Sequence, residues 1–317
     1  MDVVAAILRD RRGRVLIADR PAGKPWAGYW EFPGGKLETG EPQGAALQRE
    51  LHEELGIAAQ AAYRLFSFSH RYPERLVHLH VWRVTQYRGT PASHEGQTLA
   101  WHDPETLRQV KLLPADQPIL EALRLPPLML VTPPPGDDEA LFLRALGRSL
   151  EAGVDLVQFR APELDADRFI RLGTEVVRIC RQHGARVLIN AEPAMARGLK
   201  PDGIHLRQDM LRTLESVDID RSRLLGISCH SAEEIARALA FEPDYLTLGS
   251  VKSTASHPGG TNLGWEGFGE LAATSGIPVY AIGGLGRDDL ETARRHRGHG
   301  VAAIRAFWDI PQLSELS

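Results

Sequence analysis

The fold of the first part of the chain is decided by residues 35–57, which read GKLETGEPQGAALQRELHEELGI. Within this stretch Glu50, Glu53 and Glu54 are spaced i, i+3 and i+4, so that a helix places three carboxylates on one face. The carboxylates fall in the last turns of the helix, where they repel one another and the helix dipole by roughly 0.2–1 kcal/mol each. A hard divalent cation such as Mg²⁺ removes this conflict and bridges phosphate oxygens. The pattern favours a metal site, although three glutamates alone also fit a solvated acidic helix face.

The helix that carries these carboxylates is predicted over 42–55. Gly56 ends it, because glycine readily adopts the left-handed conformation that follows many helices. Leu47, Leu51 and Leu55 recur every four residues and form an apolar stripe next to the acidic face. This stripe is expected to attach the helix to the core of the domain.

The spacing around the acidic face is more specific than the face itself. It matches the Nudix box at every defined position, namely Gly35, Glu41, Arg49, Glu50, Leu51, Glu53, Glu54, Gly56 and Ile57. Most of residues 1–127 resembles the MutT-type 8-oxo-dGTP diphosphatases, with WEFPGG before the box and LPADQP after it adding to the likeness. The resemblance implies an α+β domain that hydrolyses a nucleoside triphosphate to the monophosphate and pyrophosphate.

The same resemblance implies which residues act. The Mg²⁺ ligands, for which Mn²⁺ is a substitute ion, would be Glu50, Glu53, Glu54, Glu95 and the Gly34 carbonyl. Arg49 would orient the carboxylates. Glu50 is the expected base for the attacking water, with Glu53 and Glu95 as alternatives. Arg20 and the segment Pro114–Asp116 are expected near the base of the nucleotide.

Asp116 departs from the MutT pattern, which has Asn after Pro-Ala. An ionised Asp only accepts hydrogen bonds and would repel a purine carbonyl, whereas a protonated Asp both donates and accepts. The base preference therefore depends on the protonation state of Asp116.

The junction between two domains is marked by RLPPLMLVTPPPG, residues 124–136. Pro126 and Pro127 should end the helix predicted over 117–124, because proline clashes with the preceding turn. We therefore predict one domain over 1–126 and another over 127–317.

The second domain alternates short apolar runs with amphipathic stretches such as SAEEIARALA. Eight such runs occur: LMLVT, VDLVQF, RVLIN, GIHL, LLGIS, DYLTLG, IPVYAIGG and GVAAIRA. This pattern predicts a small (β/α)8 barrel of the TIM type, an α/β fold, and fits a doubly wound sheet less well.

The barrel resembles the thiamine-phosphate synthase and TenI family over nearly its whole length. The likeness rests on Gln158-Phe159-Arg160, Ile189-Asn190, the GIHL and SCHS motifs, and Ala281-Ile282-Gly283-Gly284. These motifs follow or end strands, where barrel sites assemble. The resemblance implies a site for a phosphorylated, thiazole-like ligand formed by Gln158, Arg160, Asn190, Gly283, Gly284, Ile304 and Arg305.

Charges that the synthase family uses to hold a magnesium diphosphate are missing. Pro162 and His257 stand where the family has lysines. Ala191 and Met210 stand where it has acids, and Asp209 lies one residue out of register. We therefore expect no thiamine-phosphate synthase activity.

His230, in the SCHS motif, matches the residue that TenI-type thiazole tautomerases use for proton transfer. It occurs in synthases as well, so it does not separate the two activities. A tautomerase, an inert hydrogen-bonded histidine and a non-catalytic phosphate sensor all remain open.

Two further elements are predicted in the first domain. VVAAIL and VLIAD, separated by the polar RDRRGR, predict a β-hairpin. Residues 76–84 alternate strictly and predict a strand with Val77, Leu79 and Val81 on one face and His78, His80 and Trp82 on the other.

The composition restricts the class of protein. The 317 residues carry 37 Lys and Arg against 41 Asp and Glu, for a net charge of −4, so no basic excess supports binding of polymeric nucleic acid. The two cysteines lack the spacing of metal ligands. We predict a cytoplasmic protein without a signal peptide or membrane span.

The sequence thus predicts a Mg²⁺-dependent Nudix pyrophosphohydrolase fused to a TenI-like barrel. The leading substrate is 8-oxo-dGTP, which implies nucleotide-pool cleansing and avoidance of oxidative mutagenesis. A thiamine-related diphosphate is the main alternative substrate. A barrel that binds a phosphorylated metabolite and regulates its neighbour is a third hypothesis.

Overall fold

The chain forms two compact units. The computed structural model describes residues 1–104, 106–214, 223–253 and 262–308. The units are Met1–Leu125 with Gly276–Pro278, and Pro126–Ser275 with Val279–Ser317. The main break therefore falls between Leu125 and Pro126, inside the proline-rich stretch.

The described residues of the first unit form seven strands and two α-helices. The strands are β1 (Asp2–Leu8), β2 (Val15–Asp19), β3 (Trp30–Glu31), β4 (Gly34–Lys36), β5 (Ala58–Tyr72), β6 (Arg75–Arg88) and β7 (Leu99–His102). The helices are α1 (Gln43–Leu55) and α2 (Gln117–Leu123). The strands make one sheet of order β4-β1-β6-β5 and another of order β3-β2-β7.

The helix α1 forms as predicted. Gly56 follows it with a φ of 66°, and its amide donates to the carbonyl of His52 over 3.0 Å. Leu47, Leu51 and Leu55 are buried in one core cluster, together with alternate residues of β1. Truncating a leucine this deeply buried costs about 2–5 kcal/mol, so the apolar stripe fixes the position of the acidic face.

The predicted alternation on β6 is confirmed. Val77, Leu79 and Val81 are buried in a second core cluster, whereas the neighbouring His78 and His80 are only partly buried. The strand is longer than the sequence pattern indicated, because its ends pair with β5 along nearly the whole length of that strand.

The predicted hairpin between β1 and β2 is wrong. The two strands lie in different sheets, and a single bridge between Arg9 and Val15 joins them. Strand β1 pairs instead with β4 and, in parallel, with β6. Sequence periodicity identifies a strand but not the strand with which it pairs. Here β1 and β2 separate into different sheets directly after the Arg9–Val15 bridge.

The second unit is a closed parallel barrel of eight strands. These are β8 (Leu128–Val131), β9 (Leu156–Phe159), β10 (Arg186–Ile189), β11 (Gly203–Leu206), β12 (Leu224–Cys229), β13 (Tyr245–Gly249), β14 (Val279–Ile282) and β15 (Gly300–Ala303). The strands follow chain order around the ring, which closes where β15 pairs with β8. The α/β barrel predicted from the eight apolar runs is confirmed.

Six α-helices are described in the same unit. They are α3 (Glu139–Glu151), α4 (Ala166–Gln182), α5 (Pro193–Arg197), α6 (Ala232–Leu239), α7 (Gly264–Ser275) and α8 (Leu290–Arg295). Side chains of Asp138, Asp165 and Ser231 accept backbone N–H groups at the starts of α3, α4 and α6, which satisfies donors that a helix leaves unpaired. The stretch SAEEIARALA thus forms the predicted amphipathic helix.

The start of the barrel is bonded to its own wall. The Tyr280 hydroxyl donates to the Pro126 carbonyl, and the amide of Val301 donates to the Pro127 carbonyl over 2.9 Å. Two backbone acceptors just before β8 are therefore used by β14 and β15.

No helix among the described residues is both long enough and apolar enough to cross a membrane.

Candidate functional site

Arg49 is the centre of an ion-pair network on α1. Its guanidinium donates to both carboxylate oxygens of Glu41, over 3.0 and 2.9 Å, and to the Lys36 carbonyl over 2.9 Å. It also donates to Glu50 over 3.0 Å and to Glu53 over 3.1 Å. Arg49, which was predicted to orient carboxylates, therefore contacts two of the four predicted carboxylate ligands, and Glu41 holds it in place.

Glu50 is packed against the backbone of a glycine. A Cβ added to Gly35 would lie 2.3–2.4 Å from the carboxyl atoms of Glu50, so any larger residue would displace that carboxylate. Burial raises the pKa of Glu50, against the opposing effect of Arg49. Gly34 is equally constrained, because its φ is 144° and a Cβ there would collide with the Val4 carbonyl.

Glu54 is the most perturbed carboxylate of this cluster. It accepts the amide of Gly34 over 3.0 Å. Its pKa is raised to about 8, mainly by burial and also by the nearby charges of Glu31, Glu50 and Glu95, against the effect of that hydrogen bond. Four carboxylates thus oppose each other's ionisation in one place, which is the electrostatic condition that a bound cation relieves.

Glu95 acts electrostatically on Glu54 and pairs with Lys24 over 2.9 Å. Glu53 is half exposed and points to Arg49. Within the part of the chain that the structure describes, no three His, Cys, Asp or Glu side chains are already gathered to hold a metal ion. The oxygen donors and the glycine-lined space beside Glu50 fit a hard cation, but the carboxylates are held by Arg49 and Lys24 rather than by one another.

Asp116 is buried, and its Oδ2 accepts the amide of Phe32 over 3.0 Å. The pKa of Asp116 is raised to about 8, mainly by burial and also by the charge of Glu31. Arg20 is close enough to oppose this shift and pairs with Glu31. At pH 7 the Asp116 carboxyl is therefore mainly neutral, and it both donates and accepts hydrogen bonds.

Glu31 was missed by the sequence analysis, although it lies in the quoted WEFPGG motif. Burial raises its pKa, and Arg20 counters this. It couples electrostatically to Glu54 on one side and to Asp116 on the other. A single glutamate in a short strand has no spacing signal, so only the folded arrangement could identify it.

The mouth of the barrel is lined by neutral amides. Gln158 and Asn190 are buried at the ends of β9 and β10, and the Asn190 amide nitrogen donates to Gln158 Oε1 over 2.9 Å. Asn190 Oδ1 and both side-chain amide atoms of Gln208 are buried without a hydrogen-bond partner among the described residues. Such orphaned atoms indicate a ligand or water site.

Arg160 lies at the same end of the barrel, after β9. Its backbone amide donates to the Thr132 hydroxyl over 3.0 Å, which fixes the backbone there. The structure thus brings Gln158, Arg160 and Asn190 together on neighbouring strands, as their positions in the sequence predicted.

His230 is exposed after β12. Its Nδ1 contacts the Gly249 carbonyl over 2.6 Å, which assigns the proton to Nδ1 and leaves Nε2 as an acceptor. The backbone of His230 is fixed by Glu234, whose carboxylate accepts its amide over 2.7 Å. This is the orientation that a histidine needs to accept a proton from a ligand.

A tight glycine turn follows β14. Gly283 and Gly284 have φ values of 109° and 67°, and a Cβ at either would lie within 3.0 Å of neighbouring atoms. Ile304 and the exposed Arg305 follow β15, the adjacent strand. These four residues therefore lie at the ends of two neighbouring strands, as predicted for a phosphate site.

A charged side chain is present beside the glycine turn of the barrel, because Lys252 packs against Gly284 and pairs with Asp289 over 2.6 Å. Asp209 is largely exposed and pairs with Arg207 over 2.9 Å. Pro162 and Ala191 supply no charge, and His257 lies outside the described residues.

A neutral polar network fills the barrel beneath this mouth. His205 is fully buried, and burial lowers its pKa to about 3. Its ring contacts the Tyr245 hydroxyl over 3.0 Å and the Ser228 hydroxyl over 2.8 Å. Thr247 donates to the same Ser228 oxygen over 3.1 Å. The interior is thus hydrogen-bonded without any charged group in the network.

Two families match the two units. The family described as NUDIX domain matches residues 4–122, and the family described as Thiamine monophosphate synthase matches residues 128–307. The chain therefore belongs to the thiamine monophosphate synthase family, with a Nudix domain of the pyrophosphohydrolase kind fused before the barrel.

Named relatives fall into the same two groups. A CTP pyrophosphohydrolase of Escherichia coli is 48% identical over 122 residues, which are 38% of this chain and 90% of that protein. A thiamine-phosphate synthase of Thermus thermophilus is 33% identical over 190 residues, 58% of this chain and 89% of that protein. Another from Prochlorococcus marinus is 34% identical over 52% of this chain, which spans about half (47%) of its length.

Proposed function

We propose that the first unit hydrolyses a cytosine nucleoside triphosphate to the monophosphate and pyrophosphate, with Mg²⁺ as its cofactor. The observation that carries this proposal is the pairing of a mutually repelling carboxylate cluster with a neutral, buried Asp116. The first feature suits a metal-bound triphosphate and the second suits the edge of a base.

The metal would be held by Glu50, Glu53, Glu54, Glu95 and the Gly34 carbonyl. When bound, it neutralises phosphoryl charge and lowers the pKa of the attacking water. Glu50, one of the proposed ligands, would accept the proton of that water. Arg49 positions Glu50 and Glu53 and is itself fixed by Glu41.

Asp116 selects the base. Its Oδ2 accepts the Phe32 amide, so that a proton on Oδ1 would be available to donate to a base. Cytosine presents an amine donor beside a ring-nitrogen acceptor, and a neutral carboxyl offers the complementary acceptor and donor. The similarity to a CTP pyrophosphohydrolase supports cytosine over the 8-oxo-dGTP expected from the MutT-like motifs. The edge of 8-oxo-guanine also presents both donors and acceptors. 8-oxo-dGTP therefore stays a predicted substrate, and the same assay tests it.

The test is Mg²⁺-dependent release of pyrophosphate from CTP, dCTP, 8-oxo-dGTP and dGTP, and of orthophosphate from thiamine diphosphate, by the full chain. We expect the highest kcat/KM for a cytosine nucleotide. A clear preference for 8-oxo-dGTP would restore nucleotide-pool cleansing as the function. Turnover of thiamine diphosphate alone would refute the nucleotide proposal and connect both units to one metabolite.

For the barrel, we propose a site for a neutral ring that carries a phosphate, without synthase activity. The amides of Gln158, Asn190 and Gln208 supply uncharged hydrogen bonds, and the positive-φ turn at Gly283, after β14, is the candidate phosphate-binding turn. The orientation of His230 supports tautomerase chemistry as the second candidate. Incubation of the full chain with the two synthase substrates and Mg²⁺ is expected to yield no thiamine phosphate, and its formation would refute this assignment.

A further inference from the structure

The loop between β2 and β3 carries an exposed tryptophan next to the proposed nucleotide site. Trp26 lies at the tip of this loop, over residues 20–29, and is one of the few large apolar side chains exposed among the described residues. The loop is closed by backbone bonds from Gly28 to Arg20 (3.2 Å) and from Tyr29 to Trp26 (3.1 Å). The Arg20 side chain also donates to the Pro25 carbonyl over 2.9 Å. Trp26 is therefore presented by a well-bonded loop.

The ring of Trp26 contacts two tyrosines but is stacked on neither. Its centroid lies 5.1 Å from that of Tyr29, with an interplanar angle of 86°, and 5.7 Å from that of Tyr72, with an angle of 51°. Lys111 lies 4.3 Å from the centre of the Tyr29 ring and covers it instead. Neither tyrosine ring is therefore stacked in parallel on the indole.

The backbone of Trp26 is strained. Its φ of 65° lies in the left-handed region, which bulky side chains rarely adopt. Strain of this kind persists where the surrounding structure imposes it, and it concentrates at ligand sites. Glycine or asparagine would suit this position better if the loop only had to turn.

Tyr72 connects this aromatic group to Asp116. It hydrogen-bonds to the backbone of Ala115, and the Asp116 charge is close enough to raise the Tyr72 pKa. The same loop carries Lys24, which pairs with Glu95 of the carboxylate cluster over 2.9 Å. The same loop therefore carries both the aromatic ring of Trp26, which contacts Tyr72 next to Asp116, and the cation of Lys24, which pairs with Glu95.

We propose that Trp26 is the platform on which the nucleobase stacks, and that it sets affinity for nucleotides while Asp116 sets the choice of base. This inference rests on the proposed nucleotide function of the same site. Stacking on an aromatic plane is tolerant of base identity, because every base has a π face, whereas edge hydrogen bonds are not.

The experiment compares the full-length protein with Trp26→Ala and Trp26→Phe. Trp265→Ala is the matched control, because Trp265 is a partly exposed tryptophan on α7 of the barrel that stacks on His296. Pyrophosphate release from CTP and from 8-oxo-dGTP is measured with Mg²⁺, and CMP binding is measured by calorimetry without metal. The CMP measurement does not depend on hydrolysis.

We expect Trp26→Ala to raise KM for CTP and the Kd for CMP about tenfold or more, with kcat changed less than about twofold. The ratio of KM values for the two triphosphates should stay constant, and Trp26→Phe should restore most of the affinity. Trp265→Ala should match the unmutated protein. A kcat loss with unchanged KM would assign Trp26 to the loop structure and overturn the proposal.

The remaining outcomes separate this inference from the hydrolase proposal. Normal hydrolysis with unchanged KM and CMP affinity in Trp26→Ala overturns the platform and leaves the hydrolase intact. CMP binding that needs Trp26, in a protein that hydrolyses no triphosphate, supports the platform and refutes the hydrolase. A protein that neither binds CMP nor hydrolyses any triphosphate overturns both.

Discussion

The two units treat charge in opposite ways. In the first unit, Glu31, Glu50, Glu54 and Glu95 oppose each other's ionisation, and only Arg20, Arg49 and Lys24 offset them. In the barrel, the described polar groups under the mouth are amides, hydroxyls and a neutral histidine that bond to one another. Repulsion between the carboxylates of the first unit is relieved when a cation binds among them, whereas the neutral hydrogen-bond network of the barrel contains no such repulsion. This comparison is the physical basis for proposing a metal-dependent reaction in the first unit.

The largest effect is expected from Glu50→Gln, which removes the proposed base and one metal ligand while preserving shape. Pyrophosphate release at saturating Mg²⁺ should fall roughly 10²–10⁴-fold. Glu175→Gln is the control, because Glu175 is an exposed glutamate paired only within α4. Activity that survives Glu50→Gln would transfer the base role to Glu53 or Glu95.

A smaller effect is expected from Arg49→Gln. The carboxylates would lose the group that positions them, and the Mg²⁺ concentration for half-maximal activity should rise about 10–100-fold. Activity should largely recover at high Mg²⁺, which a Mg²⁺ titration of pyrophosphate release measures. Arg178→Gln, on the exposed face of α4, should leave the titration unchanged. Loss of kcat without recovery would mean that Arg49 acts on the substrate itself.

The pH dependence of base binding should report Asp116. Because its folded pKa is raised to about 8, the neutral form is lost above that pH, and CMP affinity should fall about fivefold between pH 8 and 9. The Asp116→Asn variant should bind CMP without this loss of affinity. Dividing the CMP affinity of the unmutated protein by that of the variant at each pH removes the effect of Glu54 titration, because both proteins contain Glu54. Asp103→Asn, at an exposed site, is the control. Identical pH profiles would show that Asp116 does not contact the base.

Asp116 should also affect folding stability, with a defined sign. Its pKa is near 3.8 when unfolded and about 8 when folded, so the folded state binds the extra proton between these values. This contribution to the free energy of unfolding is fully present below pH 4 and decreases as pH rises to about 8. Urea unfolding of the unmutated protein and Asp116→Asn should therefore differ in slope against pH over that window.

The smallest effect is expected in the barrel. Inorganic phosphate at a few times its Kd should stabilise the unit by about 1 kcal/mol, or roughly 2–4 °C in Tm. Gly283→Ala places a Cβ 2.7 Å from Ser250 and should abolish the phosphate-dependent rise, whatever it does to the Tm itself. Gly147→Ala, where a Cβ meets nothing within 4 Å, should keep the rise. An equal rise in both variants would place the phosphate elsewhere.

Local patterns in the sequence predicted most of the fold. The leucine stripe and Gly56 determine α1, and eight buried apolar runs predict the barrel, because each signal lies within one element. The pairing of β1 could not be predicted in the same way. Its partners β4 and β6 are chosen by packing across the domain, which the residues around the connecting turn do not encode.

The candidate site shows the same limit. The Nudix spacing identified Arg49 and its carboxylates, which share one helix. Glu31 and Trp26 lie on a short strand and a loop, and their relation to Asp116 arises only when distant segments meet. The protonation of Asp116, which the sequence left open, depends on burial and so required the folded structure.

The carbonyls of Pro126 and Pro127 have a practical consequence for dissecting the protein. They accept hydrogen bonds from Tyr280 and Val301. The proline-rich stretch, which the sequence indicates is a linker between domains, is therefore bonded into the wall of the barrel at these two residues. A barrel expressed alone should therefore begin at or before Pro126. Starting it one residue later would leave the buried Tyr280 hydroxyl without its acceptor, and an unstable fragment could be misread as proof that the barrel depends on its neighbour.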